Sequence, residues 1–373
     1  MSRIAVVGAA LGGLAAAVRL AKVGHEVVLF TDGEKPAWPT VADPDLIELP
    51  AAWRDLFRKS GRILDAALAQ RHLTLVPVPT QPVELDGDLV DWPTERGEQF
   101  AVAASRYGTA AAERWRDLLD DLVDTWQVVR RADLEYDRVP HDHAVQALLD
   151  APRTVEDLAR RIDSPLAGLV LSTARDLGSD PAHTPFWIAT RLAVRRTFGL
   201  WRLRGTDGEP VAAATLIEVL LGRLADRSVE VRPDSPRRVS GTDGGVSISL
   251  ASGQLDADAA VSAVDLWRHA DLLGRRPISV THPRRLGPLS WPGPPRPLHA
   301  ALRCPDPHPA WDGANTAAAL LPIRDPEPRV FYAGCGGLAG PLPWARVLAG
   351  AAASYLAHEA VTGDDIRPTN RRV

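Results

Sequence analysis

The segment of this sequence best suited to bind a ligand is the glycine-rich stretch GAALGG at residues 8–13. It follows a short apolar run, IAVV, and precedes the small-residue stretch LAAAVRLAK. In a G-x-G-x-x-G turn the first glycine allows the tight turn, the second lets a pyrophosphate approach the backbone, and the third lets the helix pack on the strand. Gly8 and Gly13 fill the first and third places, whereas Ala10 fills the second. The spacing therefore indicates a dinucleotide-binding turn that carries one extra methyl group.

A pyrophosphate in such a turn lies at the N-terminus of the following helix, where free amide N–H groups and the helix dipole favour an anion. We expect that helix to begin at Leu11. An acidic residue at the end of the second strand normally binds the ribose hydroxyls. Thr31 stands there, and Asp32 follows, so Asp32 reaches the ribose only if the strand ends one residue later than predicted. The same residues also fit a βαβ unit whose glycines serve packing alone.

The elements that must position this turn follow from the spacing of apolar residues. Residues 3–31 are typical of a strand, a crossover helix and a second, parallel strand. Two amphipathic helices are expected over 51–70, and the DGD sequence at 86–88 predicts a hairpin. Residues 94–228 are predicted to be mainly helical. Strands then return, and a last helix is expected over 342–360.

Composition limits the classes of function. The 373 residues suffice for roughly two domains of about 150 residues each. A net charge of −4 gives no reason to expect nucleic acid as a partner. The two cysteines, Cys304 and Cys335, are far apart, so neither a disulfide framework nor a zinc site is indicated and a reducing compartment fits. No secretory signal and no run of 18 apolar residues is present, which predicts a cytoplasmic protein without a transmembrane segment that contacts a membrane at most transiently.

Three longer stretches carry a resemblance to a known family. They are IAVVGAALGGLAAAVRLAKVGHEVVLF at the N-terminus, ATLIEVLLGRLADRSVEVRPDSPRRVSGTDGGVSISLASGQLDADAAVSAVD in the middle, and RVFYAGCGGLAGPLPWARVLAGAAAS near the C-terminus. In this order they resemble the phytoene desaturase and amine oxidase-like branch of the FAD-dependent oxidoreductases. The resemblance implies an FAD cofactor and an apolar substrate that gives a hydride to the flavin.

The resemblance also implies which residues bind the cofactor, and four of them depart from the family pattern. The first-turn glycines correspond to Gly8, Ala10, Gly12 and Gly13, and the ribose acid corresponds to Thr31. The glycine-rich basic loop that usually follows is replaced by GEKPAWPTVADPD. The resemblance implies that Arg237 contacts the adenine. The Gly334–Cys335 pair is implied to contact the ribityl chain or a phosphate, and Pro343, at the helix entry, is implied to lie at the flavin end. Because no acid stands at Thr31 or Cys335, the sequence leaves FAD, NAD(P) and a lost cofactor all open.

Other candidate sites have plainer interpretations that we favour. His141-Asp142-His143 follows a proline and is typical of a solvated turn rather than a metal site, so no metal is predicted. For Cys335 we favour the role of a small residue that replaces the family's acid over the role of a reactive thiolate. Five tryptophans lie on segments predicted to be helical, and we predict that they pack in the core rather than line a substrate tunnel. They are Trp53, Trp115, Trp126, Trp187 and Trp201.

These observations predict an α/β fold with an FAD/NAD(P)-binding Rossmann-type domain and an interleaved α+β substrate or partner domain. The first domain is expected to comprise residues 1–50, 212–274 and 329–373, and the second residues 51–211 and the proline-rich 275–328. We predict an FAD-dependent oxidoreductase that acts on an isoprenoid- or polyene-like substrate. The alternative is a flavin-less protein of the same fold that binds a partner protein or an apolar ligand. The Rab escort and GDP-dissociation inhibitor proteins, which also resemble this fold, are precedents for it.

Overall fold

The computed structural model describes residues 2–33, 35–38, 45–131, 147–148, 151, 153–177, 179–182, 184–274, 327–334 and 340–367. The strands of this part are β1 Arg3–Val7, β2 Glu26–Phe30, β3 Ile47–Glu48, β4 Leu73–Val78, β5 Thr80–Leu85, β6 Asp88–Pro93, β7 Leu200–Gly205, β8 Pro210–Val211, β9 Glu230–Arg232, β10 Arg238–Thr242, β11 Gly245–Leu250, β12 Gly253–Ala257, β13 Ala259–Ser262 and β14 Val330–Tyr332. The α-helices are α1 Leu11–Lys22, α2 Pro50–Lys59, α3 Leu64–Ala69, α4 Arg96–Tyr107, α5 Thr109–Val129, α6 Val155–Ala159, α7 Ala167–Arg175, α8 Thr190–Phe198, α9 Thr215–Ala225, α10 Leu266–Leu272 and α11 Pro343–Thr362.

A parallel sheet of five strands, in the order β14-β13-β1-β2-β9, forms the centre of the first unit. Its inner strands are almost continuously apolar because both faces are buried, as parallel sheets require. Ile4 and Val6 contribute to the core under α1, whereas Ala5 and Val7 contribute to the core under the opposite layer. The βαβ unit predicted for residues 3–31 is therefore confirmed.

Two different layers cover this sheet. The antiparallel sheet β10-β11-β12 packs on one face, and α1, α9 and α11 pack on the other. The middle of α1 consists of Ala15, Ala16 and Ala17, all fully buried, because only small side chains let a helix lie so close to both the sheet and α11. The strands predicted after residue 228 and the last helix are confirmed in these positions. Within the described residues, no helix is long and apolar enough to cross a membrane.

The second unit combines two small sheets with helices α4–α8. Strand β7 pairs with β3, β4 and β8, and β5 pairs with β6 through the turn at Asp86 and Gly87. The two helices predicted over 51–70 and the hairpin at 86–88 are confirmed. Strands β7 and β8 interrupt the segment predicted to be helical, so Trp201 lies on a strand and the helical interpretation was wrong there. Trp53, Trp126 and Trp187 are core residues as predicted, whereas Trp115 is buried but also lines a cavity.

Candidate functional site

The turn after β1 has the geometry that a first glycine provides. Gly8 has φ +100°, and its N–H donates a 2.8 Å hydrogen bond to the carbonyl oxygen of Phe30. A Cβ at this position would lie 2.9 Å from the backbone of Ala263 and Val264. Both the left-handed backbone and the close contact exclude a side chain at Gly8, so this glycine fixes the turn.

Ala10 fits the backbone without strain. It is the N-cap residue of α1, with φ −66° and ψ 165°, a conformation open to every L-residue. No side chain caps α1, and its first turn contains no acidic residue. The amide N–H groups at the start of α1, which begins at Leu11, therefore need acceptors from elsewhere, and an anion suits them. The methyl group of Ala10 affects only how closely such an anion approaches.

Gly12 and Gly13 are required for packing inside the protein. A Cβ on Gly13 would lie 2.0 Å from the carbonyl oxygen of Gly8. A Cβ on Gly12 would lie 2.0 Å from the carbonyl oxygen of Ala333, and one on Gly350 of α11 would lie 2.2 Å from that of Gly12. These glycines bring α1, α11 and the end of β14 together, which is the role that the motif gives to its third glycine.

The end of the second strand holds a carboxylate that another residue already engages. β2 ends at Phe30, the Thr31 N–H donates to the carbonyl oxygen of Arg232, and Asp32 has φ 55°. Both oxygens of Asp32 accept from Arg268, from Nε and Nη2 at 2.9 Å each. The hydrogen bond to Asp32 raises the pKa of the Arg268 guanidinium. Since Asp32 follows β2 and Arg268 lies on the helix after β13, this pair bridges across the end of β1.

The structure describes three of the remaining residues implied to contact a cofactor. Arg237 stands just before β10, where its N–H donates to the carbonyl oxygen of Ser249. Gly334 lies against Tyr332, since a Cβ there would come within 2.2 Å of the Tyr332 hydroxyl. Pro343 is the buried first residue of α11. Cys335 lies outside the described residues, as do Cys304 and residues 141–143, for which a turn is predicted.

A buried charge cluster connects α11 to the second unit, and sequence reasoning missed its role. Glu48 Oε1 accepts from Arg191 Nε at 2.8 Å and Arg195 Nε at 2.7 Å, while Oε2 accepts from Trp344 Nε1 at 3.1 Å. Arg191 also binds Asp176 at 3.1 Å. Burial raises the pKa of Glu48, but the charges and hydrogen bonds of the two arginines outweigh it and lower that pKa to about 2. Glu48 is therefore ionised.

Beside this cluster lies a cavity of about 590 Å³, within the size range of ligand pockets. It is lined by the β5–β6 hairpin and by α4, α5, α7 and α8. One part of its wall is apolar, with Trp92, Leu119, Leu169, Leu192 and Leu200 among its members. Arg195 belongs both to this wall and to the charge cluster, which places the cavity next to the ion pairs that reach Trp344 on α11.

These residues fit a dinucleotide in part. The uncapped start of α1 and the glycine turn suit a pyrophosphate, and Ala10 tolerates it without backbone strain. Ribose binding by Asp32 competes with its bonds to Arg268, because a carboxylate held bidentately offers fewer free lone pairs.

Comparison with known proteins gives relatives of consistent type. No family model matches this chain. Hydroxyneurosporene desaturase of Cereibacter sphaeroides is 28% identical over 344 residues, which cover 82% of this chain and 67% of that protein. Phytoene desaturase (lycopene-forming) of a Paracoccus species is 26% identical over 312 residues, covering 77% of this chain and 59% of that protein. The chain thus spans roughly three-fifths to two-thirds of the length of these relatives.

Among solved structures, cyclohexylamine oxidase from Brevibacterium oxydans superimposes with a TM-score of 0.56. The match covers 96% of this chain and 99% of that one at 14% identity, and so concerns the fold. The predicted α/β Rossmann-type fold is confirmed by this match and by the five-stranded parallel sheet. The relatives found by sequence are thus carotenoid desaturases, and the solved structure with a similar fold is an amine oxidase.

Proposed function

We propose that this protein is an FAD-dependent oxidoreductase that acts on an apolar, polyene-like substrate. The observation that carries the proposal is the similarity to carotenoid desaturases through about four-fifths of the chain. The turn that would hold the cofactor is retained, because Gly8 keeps its left-handed conformation and α1 keeps an uncapped N-terminus. We also propose the division into a Rossmann-type domain of 1–50, 212–274 and 329–373 and a substrate domain of 51–211 and 275–328.

In this proposal the chain's own residues bind and orient the cofactor. Residues Gly8 to Gly13, with Ala10 and Leu11 at the helix start, hold the pyrophosphate through backbone N–H groups. Asp32 exchanges Arg268 for the ribose hydroxyls, and Thr31 lies beside it. Arg237 presents its backbone to the adenine. Gly334, Cys335 and Pro343 stand at the flavin end. When bound, the flavin would supply an acceptor for a hydride from a substrate carbon.

The second unit would bind the substrate. One part of the wall of the cavity of about 590 Å³ offers leucine and tryptophan side chains to an apolar chain. Glu48 stays ionised at neutral pH, so it can hold Arg191 and Arg195 in place but has no proton to donate there. We therefore assign the Glu48 cluster a positioning role between α11 and the cavity.

One observation favours a second candidate, a flavin-less protein that uses the same cavity to bind an apolar ligand. Asp32, the acid that follows β2, is paired with Arg268. Loss of the ribose contact and of the glycine-rich basic loop would together weaken cofactor binding by several kcal/mol, or by roughly a thousandfold. The relatives found give no support to the protein partner that the sequence analysis also considered.

The experiment that separates the two candidates is an absorption spectrum of the purified protein before and after incubation with FAD and desalting. We expect flavin bands near stoichiometry after loading. Ala10→Gly should bind FAD about tenfold more tightly, because it removes one methyl group next to the pyrophosphate. Ala214→Gly is the matched control, since Ala214 is also a helix N-cap alanine but lies at the start of α9. Absence of flavin in wild type and in Ala10→Gly would contradict the oxidoreductase and support the flavin-less protein.

A further inference from the structure

Basic side chains from three separate segments meet at the turn between α2 and α3. Arg223 Nη2 and Arg227 Nε each donate a 3.0 Å hydrogen bond to the carbonyl oxygen of Ser60, where the C-terminus of α2 favours positive charge. A Cβ at Gly61 would overlap the Arg227 guanidinium and would lie 3.3 Å from Lys22 Cδ. We call the basic side chains at this turn the basic cluster. Its members are Lys22 at the end of α1, Arg62 after Gly61, and Arg223 and Arg227 at the end of α9.

The basic cluster carries excess positive charge. Asp226 binds Arg223, whereas the other three members form no ion pair with any residue that the structure describes. Burial lowers the pKa of the Arg223 guanidinium, and the positive charges of Arg62 and Arg227 lower it further against the opposing charge of Asp226. A second acid, Asp65, follows in the first turn of α3. Four basic groups still outnumber two acids, on a chain whose net charge is −4, so this face attracts an anionic partner.

Two exposed apolar side chains adjoin the basic cluster. Val23 follows Lys22 and is 43% exposed, while Ile63 lies two residues beyond Gly61 and is 59% exposed. Ile63 is the N-cap residue of α3 and makes no capping hydrogen bond, although serine, threonine, aspartate or asparagine would stabilise a helix better there. Helix formation therefore does not explain why this exposed position is apolar.

A lipid surface suits both kinds of side chain at once. Basic groups are attracted to anionic headgroups, and neighbouring apolar side chains enter the boundary between headgroups and acyl chains. The exposed apolar members of this face are aliphatic and stand at the ends of helices, whereas protein interfaces are anchored mostly by tryptophan, tyrosine and arginine in pockets. The combination of aliphatic side chains with excess positive charge favours a bilayer over a protein partner.

We propose that the basic cluster, with Val23 and Ile63, docks this protein on the surface of a bilayer that contains anionic lipids. The basic groups pair with lipid phosphates, and the two apolar side chains insert between the headgroups. This docking surface lies at the C-terminal end of α1, and the glycine turn lies at its N-terminal end, so docking leaves the glycine turn uncovered. The inference goes beyond the proposed oxidoreductase and does not depend on a bound cofactor.

Sedimentation of the full chain with lipid vesicles, without added FAD, tests the proposal. Vesicles of equal parts phosphatidylcholine and phosphatidylglycerol should bind about tenfold or more tightly than vesicles of phosphatidylcholine alone, and added salt should weaken this binding. Lys22→Gln and Arg62→Gln should each weaken it about fivefold, because one basic group near the lipid surface is lost. Ile63→Ser should weaken it about fivefold through the lost apolar contact, and should not lower the Tm because serine is a good N-cap.

Lys35→Gln and Leu89→Ser are the matched controls. Lys35 is also an exposed lysine, but it follows the end of β2, whereas Lys22 precedes its start. Leu89 is 76% exposed and stands on the β5–β6 hairpin next to Asp88. Both variants should bind vesicles as wild type does.

Equal binding to the two kinds of vesicle, or equal losses in the docking-surface variants and their controls, would overturn the proposal. Tighter binding to heparin than to the anionic vesicles, unchanged in Ile63→Ser, would also overturn it, because a soluble polyanion would then be the better partner.

Discussion

The buried carboxylate of Glu48 yields a quantitative prediction about stability. Glu48 is 6% exposed, and its two carboxylate oxygens accept hydrogen bonds from Arg191, Arg195 and Trp344. Glu48→Gln keeps the shape of the side chain but leaves Arg191 and Arg195 without their shared negative charge. Removing one partner from a buried ion pair costs about 3–5 kcal/mol. We expect this variant to lose about that much free energy of unfolding at pH 7.

The pH dependence of this contribution follows from the pKa of Glu48, which falls from its ordinary value of 4.5 to about 2 on folding. A folded pKa below the unfolded one stabilises the protein above pH 4.5, and this stabilisation is lost as the pH falls toward 2. The same linkage gives a contribution of about 3 kcal/mol at pH 7 and about 1 kcal/mol at pH 3. Wild type should therefore lose about 2 kcal/mol more than Glu48→Gln between these two pH values.

Urea unfolding, followed by tryptophan fluorescence at several pH values from 7 to 3, measures this difference. Glu84→Gln is the control, because Glu84 is an exposed carboxylate on β5. It should follow wild type at every pH. Trp344→Phe removes the bond to Oε2 and also part of a buried ring that packs edge-on against Trp126, so it should cost about 1–3 kcal/mol and serves if Glu48→Gln does not fold. A constant gap between wild type and Glu48→Gln from pH 7 to 3 would refute the reasoning.

Three further predictions concern packing, the ribose position and a histidine pair. Gly350→Ala should destabilise the protein by more than about 3 kcal/mol, because its Cβ would lie 2.2 Å from the Gly12 carbonyl oxygen. Gly168→Ala is the control and should be neutral or stabilising, because no atom would lie nearer than 3.9 Å to its Cβ. Thermal unfolding of both variants measures the difference. In a double-mutant cycle, Asp32→Asn and Arg268→Met should show a coupling of about 1 kcal/mol, and additive effects would rule out the bidentate pair. Burial and the neighbouring His358 lower the pKa of His25, so stability should fall as the pH drops below 6.5, and His25→Gln should reduce that fall in Tm scans between pH 7 and 5.

Much of the fold could be predicted because its signals are local. The inner strands of the parallel sheet are continuous apolar runs, and α1 is a run of alanines and leucines closed by Gly24. The helical prediction over 94–228 was wrong at β7 for a physical reason. β7 has only two buried residues, Leu200 and Leu203, and arginines stand among them, so its sequence shows neither the alternation of a strand nor the 3.6-residue period of a helix. Its strand conformation depends on pairing with β3 and β4, which come from more than a hundred residues away.

The candidate site also has a part that the sequence predicts and a part that only the tertiary structure shows. The sequence by itself determined the glycine turn, since Gly8, Gly12 and Gly13 are demanded by backbone conformation and close contact within one βαβ unit and its neighbours. Only the tertiary structure decided what the charged side chains do. Asp32 meets Arg268 across 236 positions, and Glu48 meets Arg191 and Trp344 across 143 and 296. The spacing of residues in the sequence does not predict such pairs, because they form where the ends of distant strands and helices come together after the chain has folded.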